Sequence, residues 1–153
     1  MDGISPTLRA RLDELAEAGN AFCDTEEYEK ALEVWQEALS LIPSPRQAYG
    51  ESMWFEASVG YLYFVWEEYE TALACFERAQ GNLTGQGYGN PFVMLMMGET
   101  CLELGDETGA EEYLLRAYML DGAEVFEGQN PKYFDFLREH VDLGEDGFPE
   151  DAE

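Results

Sequence analysis

One histidine, three cysteines and many carboxylates are the side chains of this sequence that could do chemistry. His140 is the sole histidine, so a histidine base and a histidine-rich metal site are excluded. The cysteines, Cys23, Cys75 and Cys101, are odd in number and form no C-x-x-C pair, which argues against a disulfide framework or a zinc site. The motifs G-x-S-x-G and H-E-x-x-H and a phosphate-binding glycine loop are also absent. We therefore expect packing roles for these residues, no catalytic activity and no cofactor.

Carboxylates occur as adjacent pairs at Glu26-Glu27, Glu67-Glu68 and Glu111-Glu112. Neighbouring residues point in different directions on a helix, so such pairs are poorly placed to share a proton or an ion. The sequence also lacks the D-x-D-x-D-G loop of a calcium site. The pairs indicate solvated helix faces, and no resident metal is expected.

The charge balance is strongly acidic, with 33 acids against 8 bases and a net charge of −25. Such a field repels nucleic acid and anionic membranes and speeds the approach of a basic partner. An acid-rich solvated surface is the alternative; it predicts acids spread evenly, whereas a binding site predicts acids around one groove. The chain has no apolar run of membrane-spanning length and no export signal at its start. We expect a cytoplasmic protein.

A set of small and large apolar residues recurs three times along the chain. Each copy places a glycine twelve residues before an alanine, and a large apolar residue four positions after that alanine. Two antiparallel helices can approach closely at the small residues, while the large one fills the space beside them. The copies are Leu15, Ala18, Gly19, Phe22, Ala31, Trp35, Ala38 and Pro43; Val59, Gly60, Tyr63, Tyr69, Ala72, Phe76 and Ala79; and Met97, Gly98, Cys101, Gly105, Ala110, Leu114 and Ala117.

This pattern resembles the tetratricopeptide repeat (TPR), W-x2-L-G-x2-Y…A-x3-F…P. The resemblance implies an all-α fold in which three helix-turn-helix repeats stack as a short right-handed solenoid. The repeats are predicted at about 8–43, 47–84 and 91–121. Their glycines are 41 and 38 residues apart, against about 34 in the family, which indicates longer helices or loops. The third copy has Cys101 and Leu114 where the family has aromatics, and it lacks the closing proline.

Caps and periodicity divide the chain into helices. Ser5-Pro6 and Asn130-Pro131 are each typical of an N-cap followed by a proline in the first turn. The predicted helices begin at 6, 25, 47, 68, 91, 107 and 131, and end near 23, 42, 66, 80, 104, 121 and 141. The last one is expected to cap the open end of the stack. Residues 1–141 then form one domain, and 142–153 an acidic, disordered tail.

The TPR resemblance further implies that the first helix of each repeat lines a concave groove. In the second repeat, Phe55, Val59 and Leu62 already supply a packing face, so the other aromatics of that helix are not needed for the core. An apolar floor rimmed by acids is typical of an interaction site. The alternative is that the terminal helix, or a second copy of the chain, covers it. The predicted partner-binding residues are Asp13, Glu17, Asn20, Asp24, Trp54, Tyr61, Phe64, Phe92, Leu95, Met96, Glu99 and Glu103.

The same positions argue against one role of TPR domains, the binding of carboxylate tails of heat-shock chaperones. Domains with that role carry lysines, an asparagine and an arginine in the groove. Asn20 matches, but Ala16 and Phe92 stand at the lysine positions and Met96 at the arginine position. The ligand should therefore offer apolar side chains together with lysine or arginine.

The sequence thus predicts a non-enzymatic interaction module for a basic protein or peptide, with a homodimer as a further possibility. The preferred hypothesis is an immunity protein that inhibits a cognate toxin, supported by the extreme charge and the irregular loops between repeats. The alternative is a secretion chaperone of the type III translocator kind, supported by the aromatic groove. Neither hypothesis involves nucleic acid or a membrane.

Overall fold

A computed structural model of the chain describes residues 4–84 and 89–143. Every regular element in these ranges is helical, and none is a β-strand. The chain divides into two compact units, residues 1–86 and residues 87–153, called here the first and the second unit. The expected acidic tail from 144 onward and the centre of the glycine-rich segment, residues 85–88, lie outside the described residues.

The first unit contains two helix pairs and the second contains one pair followed by a terminal helix. The helices of the first unit are α1 Pro6–Asp24, α2 Tyr28–Leu41, α3 Gly50–Val65 and α4 Tyr69–Gln80, with a short 3-10 turn at Arg46–Ala48. Those of the second unit are α5 Pro91–Glu103, α6 Glu107–Asp121 and α7 Pro131–His140, with a 3-10 turn at Gly122–Phe126.

Each pair is held together at the repeated glycine. The indole of Trp35 lies directly on Gly19, where a Cβ atom would overlap it. A Cβ atom at Gly60 would lie 2.8 Å from Cε1 of Phe76. The absence of a side chain therefore lets a bulky group of the second helix reach the backbone of the first.

The third pair repeats this contact with an aliphatic group. A Cβ atom at Gly98 would lie 2.6 Å from Cδ2 of Leu114. The alanines that precede the three large residues, at positions 31, 72 and 110, are fully buried. The close approach predicted from the spacing of small and large residues is thus present in each pair.

The caps predicted from Ser-Pro and Asn-Pro are also present. The Ser5 hydroxyl accepts a hydrogen bond from the Leu8 N–H at 3.2 Å, and the Asn130 side chain accepts one from the Lys132 N–H at 3.0 Å. These side chains bond N–H groups of the first turn that have no partner within the helix.

Two predicted helix starts are wrong by three residues. The second helix begins at Tyr28 and not at Thr25, because Glu26 adopts a left-handed backbone conformation with φ of +60° that an α-helix cannot contain. The third helix begins at Gly50 and not at 47, because the 3-10 turn at Arg46–Ala48 precedes it.

None of the helices in the described part of the chain combines the length and the apolar character needed to cross a membrane.

Candidate protein-binding surfaces

The acidic positions predicted on α1 are exposed. Asp13, Glu17, Asn20 and Asp24 all have solvent-accessible side chains. On the same helix, Arg9 forms an ion pair with Glu51 of α3, with 2.5 Å between Nη1 and Oε2. This ion pair links α1 to α3 near the starts of the two helices.

Two of the three predicted aromatics of α3, Trp54 and Tyr61, are the exposed large apolar residues of that helix. Trp54 is 40% exposed and Tyr61 is 39% exposed, while Phe64 is half-buried. Tyr61 follows Trp54 by seven residues, and Phe64 follows Tyr61 by three. The spacing of seven places Trp54 and Tyr61 two turns apart on one side of the helix. We call Trp54, Tyr61 and Phe64, with the four α1 positions, the open face.

Neighbouring rings fix the aromatic side chains of the open face. Trp54 packs edge-on against the buried Trp35, with 5.5 Å between ring centroids, and against Phe55 at 5.0 Å. Phe64 contacts Tyr69 at 5.2 Å. Such contacts restrict the side chains before any ligand arrives, so less conformational entropy is lost on binding.

The positions predicted on α5 have a different environment. Phe92 is 41% exposed, but Leu95, Met96 and Glu99 are at most 2% exposed. Glu103 is half-buried. These three buried side chains are not offered to a partner in this arrangement, and only Phe92 keeps the surface position that the sequence suggested.

The terminal helix α7 contacts the acidic end of α5. The carboxylate of Glu103 accepts a hydrogen bond from the Tyr133 hydroxyl at 2.6 Å and pairs with the ammonium of Lys132 at 2.6 Å. Burial alone would raise the pKa of Glu103, but the hydrogen bonds from Lys132 and Tyr133 and the charge of Lys132 outweigh it, so the pKa is lowered. The terminal helix therefore contacts Glu103 near the end of α5, and the segment before it reaches Glu99 through Gln129. We call Glu99 and Glu103 the covered face.

Glu99 has no such cation. With its amide nitrogen turned toward Glu99, Gln129 donates to the two carboxyl oxygens at 2.8 and 3.2 Å, and the described residues form no ion pair with it. Burial raises the pKa of Glu99 to about 8, helped by the negative charge of Glu103 and opposed by Lys132. Glu99 is therefore largely protonated at neutral pH.

Aromatic packing completes the contact of α7 with the second unit. The ring of Phe134 stacks on Phe126 at 4.5 Å and on Tyr118 of α6 at 6.3 Å, and Phe136 and Leu137 are buried. The ring of His140 packs against Phe136, and its Nδ1 lies 2.8 Å from the Phe136 carbonyl oxygen. His140 has the packing role that the sequence favoured.

One ionic cluster of the first unit was not predicted from the sequence. Glu56, buried on α3, pairs with Arg78 at 3.1 Å and with Arg46 at 3.7 Å. Arg78 also donates to the Cys75 sulfur at 3.3 Å. Burial raises the pKa of Cys75 to about 11 although Arg78 opposes it, so this thiol stays protonated and unreactive. The position of Glu56 directly after the core residue Phe55 is the weak signal that could have suggested its burial.

Exposed acids are not restricted to the open face. The second helices of the repeats also carry them, at Glu29, Glu33 and Glu37 on α2 and at Glu70 and Glu77 on α4. This spread is what a solvated acidic surface predicts, so the charge by itself does not mark the site. Within the described ranges, no group of three histidine, cysteine or acidic residues could hold a metal ion.

These helix pairs and glycine contacts are those of a tetratricopeptide-repeat fold. A family model described as tetratricopeptide repeat matches residues 93–124, which is the repeat that departs most from the family pattern. TPR domains are generally non-catalytic protein-interaction modules.

Two solved structures are similar to this chain at 20% identity each. The crystal structure of PcrH from Pseudomonas aeruginosa matches with a TM-score of 0.66 over 90% of this chain and 94% of that one. The Sgt2 TPR domain from Aspergillus fumigatus matches with a TM-score of 0.64 over 90% of this chain and 78% of that one. The all-α fold with TPR-like repeats is thereby confirmed. Comparison with curated protein sequences found no match.

Proposed function

We propose that this chain is a non-enzymatic interaction module that binds a basic, partly apolar segment of another protein on the open face. The observation that carries the proposal is the exposure of Trp54 and Tyr61, about two-fifths each, on a helix whose opposite side already packs in the core. Large aromatics that the core does not require, held in place by other rings, are typical anchors of protein interfaces.

The exposed acids of α1 favour a basic ligand. Asp13, Glu17 and Asp24 lie exposed on α1, which the Arg9–Glu51 ion pair links to α3. Lysine or arginine of the ligand can pair with them at the edge of the interface, where charges add more to the association rate and to specificity than to affinity. The net charge of −25 steers a basic partner at long range.

Substitution of an anchor tests the open face. Against the basic protein that co-purifies with the native chain, Trp54→Ala or Tyr61→Ala should weaken binding by about 2 kcal/mol or more, measured by calorimetry. Met119→Ala is a matched control, because Met119 is an apolar side chain, 75% exposed, on α6 of the second unit and not part of the open face. Unchanged affinity in both anchor variants, with the helical circular dichroism intact, would remove the open face from the proposal.

Two finer functions remain proposals, and each has its own support. For an immunity protein, the extreme acidity suits the neutralisation of a basic toxin. For a secretion chaperone, the support is the likeness of fold to PcrH, which extends over nearly the whole of both chains, and the aromatic character of the open face.

The folded state of the bound partner separates these two functions. A chaperone holds an extended segment, so a synthetic peptide of that segment should compete with the whole partner. An immunity protein recognises a folded surface, so peptides should fail to compete while the partner remains folded in the complex. Competition by peptides rejects the immunity hypothesis, and a folded partner that no peptide displaces rejects the chaperone hypothesis.

A further inference from the structure

The contact between α7 and the covered face has the chemistry of a ligand. Consecutive residues at the start of α7 bring a cation and a hydroxyl to one carboxylate: the Lys132 ammonium and the Tyr133 hydroxyl each lie 2.6 Å from Glu103. Three apolar side chains follow: Phe136 and Leu137 are buried, and Phe134 stacks on Phe126 of the preceding 3-10 turn and on Tyr118 of α6. A basic residue, an aromatic and an apolar stripe on one helix are also the features that an acidic, apolar surface would select in a partner.

The covered face is incompletely satisfied by α7. Glu99 lies one turn before Glu103 on α5, is 1% exposed and receives only the neutral amide of Gln129 from the segment that leads into α7. Without a cation beside it this buried carboxyl group stays protonated, because an ionised group there, next to the Glu103 carboxylate, would be unfavourable. A ligand with a cation at the place of Gln129 would supply the charge that α7 lacks.

The cover is specific to the third repeat. Glu99 follows Gly98 as Tyr61 follows Gly60, so the two residues hold the same position in their repeats. Tyr61 is 39% exposed and Glu99 is 1% exposed. The repeat itself therefore does not bury this position, and what buries Glu99 lies outside the repeat pattern.

The attachment of α7 allows its release. The helix has ten residues, which is too short to be stable in water without packing. It is joined to the preceding 3-10 turn through Gly128, whose φ of +81° is a conformation open to glycine at little energetic cost. Release of α7 breaks its contacts with Glu103 of α5 and Tyr118 of α6 and can be accommodated by rotation at Gly128.

We propose that α7 is an intramolecular ligand of the covered face, and that a partner helix carrying lysine or arginine beside an aromatic residue displaces it and pairs with Glu99 and Glu103. This proposal rests on the function proposed above, since it gives the interaction module a second surface, and it specifies the ligand class for that surface. In the free protein α7 occupies the site and excludes weaker ligands.

The probe for this proposal is the α7 segment itself, a labelled synthetic peptide of residues 129–141, titrated by fluorescence anisotropy into the full-length chain. In wild type the tethered copy competes at an effective concentration near the millimolar range, so binding should be weak. Leu137→Asp removes a fully buried anchor from the tethered copy and leaves α5 intact. We expect this variant to bind the peptide at least about tenfold more tightly than wild type.

A milder variant guards against loss of folding. Lys132→Ala in the full-length chain removes the ion pair with Glu103, and its matched control is Lys30→Ala, which removes an ion pair with Glu27 at 2.8 Å in the first unit. Only the first should strengthen peptide binding. Equal binding by wild type, Lys132→Ala and Lys30→Ala, or no binding by a folded Leu137→Asp, would overturn the proposal.

A modified peptide tests the predicted cation site at Glu99. A peptide with Gln129→Lys should bind Leu137→Asp about tenfold more tightly than the natural sequence, and this gain should vanish when Glu99→Gln is added to the chain. No gain, or a gain that survives Glu99→Gln, would show that Glu99 does not receive the cation. Because these titrations use neither the natural partner nor the open face, their failure is distinct from failure of the Trp54 and Tyr61 variants.

Discussion

Helices α3 and α5 hold the same place in successive repeats but differ in which of their residues are exposed. Trp54 and Phe92, each six residues before the repeat glycine, are both about two-fifths exposed. One residue after that glycine the two helices diverge, because Tyr61 remains exposed while Glu99 is buried. The repeat pattern fixes which side of a helix packs within its own pair, but the exposure of the other side depends on what covers it.

The largest expected effect on the free energy of unfolding comes from weakening the packing of α7. Leu137→Ala deletes buried methyl groups of α7 and should lower the free energy of unfolding by about 3 kcal/mol, as large-to-small core substitutions do. Urea denaturation followed by circular dichroism measures it. Trp54→Ala on the open face should reduce stability by less than half as much. Equal effects would mean that α7 is no more firmly packed than an exposed aromatic.

Titration of Glu99 gives the next effect and depends on pH. Its pKa is about 8 in the folded state and 4.5 ordinarily, so the folded protein holds a proton that the unfolded chain releases between these values. The free energy of unfolding therefore falls as the pH rises from about 4.5 to 8. Above pH 8 the folded protein bears the full cost of a buried, ionised carboxylate. Glu99→Gln should stabilise the protein on the order of 2 kcal/mol at pH 9 and have little effect at pH 4.

The control for this titration moves the carboxyl group to the open face. Tyr61→Glu places it at the equivalent exposed position, where the group should titrate near its ordinary value. A pKa of the introduced Glu as high as that of Glu99, measured by NMR, would contradict the assignment of the shift to the cover.

A smaller effect is expected at the ion pair of the covered face. Lys132→Met keeps the length of the side chain and removes its charge, which should cost about 1 kcal/mol because Lys132 is half-exposed. The pKa of Glu103 should rise, since a hydrogen bond and a positive charge that lower it are lost. An unchanged NMR titration of Glu103 would show that Tyr133 alone sets its pKa.

The smallest effect concerns the turns inside the repeats. Glu26 and Glu67 have φ of +60° and +63°, where the third repeat has Gly105 at +86°. A residue with a Cβ atom is strained in this conformation, so Glu26→Gly or Glu67→Gly should stabilise the first unit by about 0.5–1 kcal/mol. Glu68→Gly, at an adjacent position outside the left-handed region, is the control and should destabilise or have no effect.

The sequence was sufficient for the helix pairs because short-range rules determine them. Gly19, Gly60 and Gly98 marked the close contacts, and Ser5 and Asn130 marked helix starts. Burial of Leu95, Met96 and Glu99 was not predictable from periodicity, because helical spacing assigns a residue to a face without naming what packs on that face.

Acidic residues were the second source of error. The sequence contains 33 acids, and nothing in it marks which of them are buried. Glu56 and Glu99 could therefore be told from solvated glutamates only once their neighbours were known. The site assignment on α3 needed only the excess of aromatics over what the core requires, and for that reason it could be made from the sequence.

The distribution of tryptophan has a spectroscopic consequence. All three tryptophans, Trp35, Trp54 and Trp66, lie in the first unit, and Trp54 has its ring on the open face in contact with that of Trp35. Emission excited at the red edge of the absorption band therefore arises from one half of the chain alone. A ligand that binds against Trp54 should change the colour and intensity of this emission, so an unlabelled sample can report that the open face has been engaged.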